Sequence, residues 1–122
     1  MNVQDKLKAC QAIGVDAEIY SREFSSTGTK AQVFLVYKGT RTAIRDESLF
    51  MSAHNWLIKH VENLEIGYEY PDTQGRIEIA AWLDNEQFIF YSSAYLDVIL
   101  QTVIGIADVI LKDDNENLAD ED

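Results

Sequence analysis

Two histidines, one cysteine and 21 acidic side chains are among the groups in this 122-residue chain that could carry covalent or proton-transfer chemistry. A nucleophile–base pair needs a histidine within reach of a Ser, Cys or Asp. His54 and His60 fall on the same predicted helix, where their spacing turns them apart by about a third of a turn. They cannot close on one metal ion as histidines four apart do. His60 lies in an apolar stripe beside Trp56, which reads as a core-edge histidine bonded to backbone rather than a catalytic or pH-switching group. Cys10 has no second cysteine to pair with, so neither an internal disulfide nor a zinc cluster is available. Its helical spacing from Val3 and Leu7 reads as a buried, inert thiol. Carboxylate pairs such as Glu69 and Asp72 arise in any chain this acidic, so they carry no specific sign of acid–base work. No Walker, dinucleotide or EF-hand pattern occurs, and the six glycines are scattered. The expectation is a protein that is not an enzyme, with no catalytic residue, no metal and no cofactor.

The formal net charge is −11. Such a surface repels nucleic-acid phosphates and anionic lipids, so direct contact with nucleic acid or membrane is not expected. Either a basic partner is attracted by it or the charge only keeps the protein soluble. No run approaches the length needed to cross a bilayer. The charged stretch Met1–Ile13 lacks the apolar core of a signal peptide, so the expected location is cytoplasmic.

Any contact surface must be positioned by the surrounding elements. Asn2, with Asp5 three residues on, caps a first helix carrying Val3, Leu7 and Cys10 on one face, and Gly14 stops it. Val15–Phe24 alternates as a strand. Ser25–Lys30 reads as a loop, and Ala31–Lys38 as a strand apolar on both faces, hence central. Gly39–Thr40 turns into a third strand, Arg41–Arg45. Asp46 or Ser48 caps a second helix, with Leu49, Phe50, Ala53, Trp56, Leu57 and Val61 in one stripe and Met51 and Ile58 opposite. Strands follow at Leu64–Tyr70 and Ile77–Leu83, separated by a turn at Pro71–Gly75. Asp84–Asn85 makes a hairpin into Glu86–Tyr91, a further strand or a loop. Ser92 or Ser93 caps a third helix running to about Leu111.

These elements predict one α+β domain over residues 1–111. Its mixed, mainly antiparallel sheet has five to six strands, with three helices in the order α-β-β-β-α-β-β-(β)-α. Residues 112–122 hold six acids and one base and read as a solvated, flexible tail.

The third helix carries two adjoining apolar stripes. One is Leu96, Ile99, Val103, Ile106 and Ile110; the other is Leu100, Ile104, Ala107 and Leu111. An arc this wide must be covered on two sides, either within the monomer or across a dimer. Trp82 shares a strand face with Arg76 and Glu78 and is either a contact residue or buried under a helix. The candidate protein-contact residues are therefore Met51, Ile58, Trp82, Leu100 and Ile104.

The stretches AHNWLIKH (residues 53–60), YEYPDTQGRIEIAAWL (68–83) and SSAYLDVILQTVIGIADVIL (92–111), with the element order over residues 7–111, resemble the YbjN-like proteins and the class I type III secretion chaperones that share their fold. The resemblance implies a homodimer without an active site. It also implies that apolar patches bind an extended or partly unfolded segment of another protein. No individual binding residue carries over. A second expectation comes from charge alone: a small acidic phage or mobile-element inhibitor, of nucleic-acid-mimic or immunity type, acting on a basic host protein.

Overall fold

The computed structural model describes residues 1–22, 32–68 and 76–119. The order is α1 (Val3–Ile13), β1 (Ala17–Arg22), β2 (Gln32–Tyr37), α2 (Asp46–His60), β3 (Asn63–Tyr68), β4 (Ile77–Leu83), β5 (Glu86–Ser92) and α3 (Tyr95–Ala119). It is an α+β fold, as expected, but in place of one mixed sheet of five to six strands it has five strands in two antiparallel sheets, β1-β2 and β3-β4-β5. The expected loop at Ser25–Lys30 and turn at Pro71–Gly75 lie outside the described residues.

Local signals account for most boundaries. Asn2 Oδ1 accepts the Asp5 N–H at 2.8 Å, and Gly14, at φ 80°, ends α1 in the left-handed conformation that glycine adopts without strain. Asp84 and Asn85 both sit at positive φ in the tight turn joining β4 to β5, as a two-residue hairpin requires.

Three further expectations need correction. Arg41–Arg45 is not a strand: it contributes only the bridge Ala43–Val36. Gly39 at φ 91° and Arg41 at φ 54° curl the chain, and α2 begins at Asp46, which leaves too little extended chain for a ladder. Even so, the Tyr37 N–H donates to Thr42 O and the Ile44 N–H to Leu35 O, so β2 is flanked on both edges. Neither Asp46 nor Ser48 caps α2: Arg45 takes that position without a side-chain bond, and Asp46 and Glu47 occupy the first turn, where they complement the helix dipole. Finally, α3 does not stop near Leu111. It continues to Ala119, taking much of the expected flexible tail into a helix.

One core joins the layers. Ala9 and Cys10 of α1, Leu49, Ala53 and Leu57 of α2, Ile77, Ile79 and Ala81 of β4, and Val98, Ile99, Leu100, Val103 and Ile106 of α3 form a single buried cluster. Helix α3 touches α1, α2, β4 and β5. Its first stripe and Leu100 are thus covered within one chain in large part, between sheet and helices, while Ile104 is half-buried and Leu111 stays exposed. Thr102, the one buried polar residue among the described residues, donates its hydroxyl to Val98 O at 2.8 Å, which satisfies it without a break in the packing. The Met1 ammonium pairs with Asp97 Oδ2 at 3.1 Å, tying the start of the chain to the first turn of α3.

Candidate protein-contact surface

The outer face of α2 follows from the inner one. Because Leu49, Ala53 and Leu57 turn into the core, the positions opposite them face outward. Met51 is 64% exposed and Ile58 55%. Large apolar side chains left this open are unusual when they adjoin others, and here they do.

At the N-terminal end of α2, Phe50 and Met51 meet Tyr95 and Leu96 of α3 around a cavity of about 520 Å³ rimmed by Asp46 and Glu47. Nearer its C-terminal end, His54 and Ile58 meet Leu64 and Ile66 of β3 around a cavity of about 290 Å³. The His54 ring lies parallel to that of Phe50 with centroids 6.4 Å apart, so a lining residue of the second groove lies against a lining residue of the first. His60 is placed differently. Its Nδ1 lies 2.7 Å from Trp56 O, and its ring stacks on the Trp56 indole at 4.2 Å. The two histidines therefore serve separate aromatic contacts on one helix.

The other candidates separate by depth. Leu100 is fully buried within the core cluster that α1, α2, β4 and α3 share, which leaves it no surface to offer a partner. Ile104 is half-buried against the core. Trp82 lies on the face of β4 away from α3, cross-strand from Asn63 and Gln87. The core-facing set of that sheet is Ile77, Ile79, Ala81, Phe88 and Phe90. Trp82 is half-buried; on the same face Ile89 is exposed, and further along the sheet the Tyr91 hydroxyl donates to Glu78 Oε1 at 2.9 Å.

Phe50, Tyr95 and Ile66 were not among the sequence candidates. Phe50 counts with the core stripe on a helical wheel, and Tyr95 opens α3 outside both of its stripes. The alternation at Ile66 points it inward, and only its place on an edge strand leaves it 40% exposed.

Cys10 is fully buried, and that burial pushes its thiol above the ordinary value. Among the described residues, no three His, Cys, Asp or Glu side chains are grouped to hold a metal ion, and no helix is long and apolar enough to cross a membrane. The surface offers apolar contact with a carboxylate rim, suited to an apolar segment carrying positive charge. No protein-family model, curated protein or solved structure matches the chain.

Proposed function

We propose that this chain is a non-enzymatic, chaperone-like protein-binding module. It holds a partly unfolded apolar segment of another polypeptide along the outer face of α2, and it works as a homodimer. The observation that supports this reading is the pair of grooves along α2, one lined by Phe50, Met51, Tyr95 and Leu96 and the other by Ile58 and Ile66. Full burial of an exposed apolar side chain contributes about 1.5–3 kcal/mol, so Met51, Tyr95, Ile58 and Ile66, each partly exposed, together offset part of the cost of association.

The test is suppression of aggregation. A denatured model client diluted into buffer should scatter less light with the full chain present at equimolar ratio. Met51→Glu and Tyr95→Glu should lose that protection while keeping the parent's melting temperature. A folded parent that leaves the scattering unchanged would sink the proposal.

A second reading, inhibition of a basic host protein, gains from the extension of α3 through Ala119. It sets Asp113, Asp114 and Glu116 on one regular element instead of a loose tail. Binding of that kind would weaken steeply with salt, whereas apolar client binding would not.

A further inference from the structure

We infer that the open edge of β3 pairs with β3 of a second copy of this chain, antiparallel about a two-fold axis at Ile66, joining the two three-stranded sheets into one. This rests on the dimer part of the reading above and names its interface. Strand β3 lies at the end of the order β3-β4-β5, so one side of its backbone faces no other strand among the described residues. The Leu64 N–H donates to Asn63 Oδ1 at 3.0 Å, which takes it out of the ladder with β4. Alternation along the strand puts the N–H and C=O of Ile66 on that same open edge.

Burial points to the same place. Ile66 is the register partner of Ile79, and antiparallel partners share a face. Ile79 is fully buried, yet Ile66 is 40% exposed. The helical layer that covers β4 therefore stops short of β3. Ile58 of α2, 55% exposed, borders the same groove. A strand added at this edge would extend the sheet beneath that groove and bring two copies of Ile58 and Ile66 together.

The sequence of β3 suits its own antiparallel copy. Antiparallel partners must have the same parity, so the axis falls on a residue. An axis at Glu65 sets Glu65 against its own copy, and like charges directly opposite are destabilising. An axis at Gly67 shortens the overlap within the strand to residues 66–68. An axis at Ile66 pairs Leu64 with Tyr68 and Glu65 with Gly67, which keeps the acids apart and uses residues 64–68. The net charge of −11 on each copy opposes pairing, so added salt should tighten it.

The experiment is sedimentation equilibrium of the full chain at tens of micromolar. The parent should be a dimer that tightens from low to high salt. Ile66→Pro should raise the dissociation constant by about 100-fold, since proline on an edge strand removes an outward donor and leaves the fold intact, as circular dichroism would check. Ile66→Cys keeps the test independent of that variant. An axis at this residue brings the two copies within disulfide reach, so mild oxidation should give a covalent dimer. Cys10 is too buried to compete, and Ile89→Cys on the far face of the sheet should stay monomeric in denaturing gels. A parent that is monomeric, or a dimer indifferent to Ile66→Pro with no cross-link at position 66, overturns the inference. A monomer that still suppresses client aggregation overturns this interface alone. A cross-linked dimer that suppresses nothing overturns client binding alone.

Discussion

The ring of Phe90 on β5 fills the space over Gly105 of α3 so closely that a Cβ added to Gly105 would lie 2.5 Å from the ring's Cζ. Helix and sheet meet here with no room for a side chain. Alanine at this position should gain about 1 kcal/mol in helix propensity and lose about 1–3 kcal/mol to overpacking. The expected result for Gly105→Ala is a net loss of stability, read as a lower urea midpoint. Phe90→Leu, combined with it, should recover part of that loss, and a double-mutant cycle would show the coupling. Gly105→Ala with an unchanged midpoint would mean that the ring moves aside freely.

Burial of the Cys10 thiol raises its pKa above the ordinary 9.0. The unfolded chain therefore ionises first, and the contribution to stability is full below 9.0 and is lost as pH rises through the raised value. The slope approaches about 1.4 kcal/mol per pH unit where only the unfolded thiol is ionised. Between pH 8 and pH 10 the parent should lose more stability than Cys10→Ala, and the native thiol should react with iodoacetamide far more slowly than the thiol in denaturant. Equal reaction rates would show that α1 opens readily.

The extension of α3 beyond Leu111 should add helix without adding much stability. Leu111 is 60% exposed, and Lys112 is exposed beside it. Truncation after Asp113 should lower the helical ellipticity by the share of residues 114–119 and shift the melting temperature by no more than a few degrees. A large drop in melting temperature would place this extension against the body of the protein.

Much of the fold was legible because its signals are local. The alternation in Ile77–Leu83, the Asp84–Asn85 turn and the Asn2 and Gly14 boundaries each depend on residues a few positions apart. The failures lie where distant parts of the chain decide. Apolar counting marked Leu100 and Ile104 alike, but which stripe of α3 meets α1 and α2 follows from how three helices pack. The end of α3 was set too early because apolar periodicity stops at Leu111, although no glycine or proline ends the helix there. The contact surface was half legible. Met51 and Ile58 oppose their own helix's core stripe and can be found by spacing, whereas Ile66 is exposed only because β3 is an edge strand.

Because His60 lines neither groove and serves only the Trp56 contact, replacing it with glutamine should leave the proposed client binding in place. The loss of the His60–Trp56 stack and its bond to the helix backbone should lower stability by about 1 kcal/mol. A well-folded His60→Gln variant with no binding would show that the contact surface extends past the two grooves to the C-terminal end of α2.

The same substitution at two isoleucine- or leucine-sized positions should separate core from surface. Leu100 is fully buried among the apolar side chains of the core cluster. Aspartate there would place a charge in a dry site with no partner, and the loss of packing alone costs about 2–5 kcal/mol. A domain this small is stabilised by about 5–15 kcal/mol in total, so Leu100→Asp should be unfolded or nearly so at 25 °C by circular dichroism. Ile58 is 55% exposed on the far side of α2. Aspartate there stays in water, costs helix propensity of under about 1 kcal/mol, and should leave the melting curve close to the parent's. What Ile58→Asp should lose is association: weaker protection of a denatured client, and a weaker dimer if two copies meet beside β3. If Leu100→Asp folds normally while Ile58→Asp does not, the sides assigned to α2 and α3 are reversed.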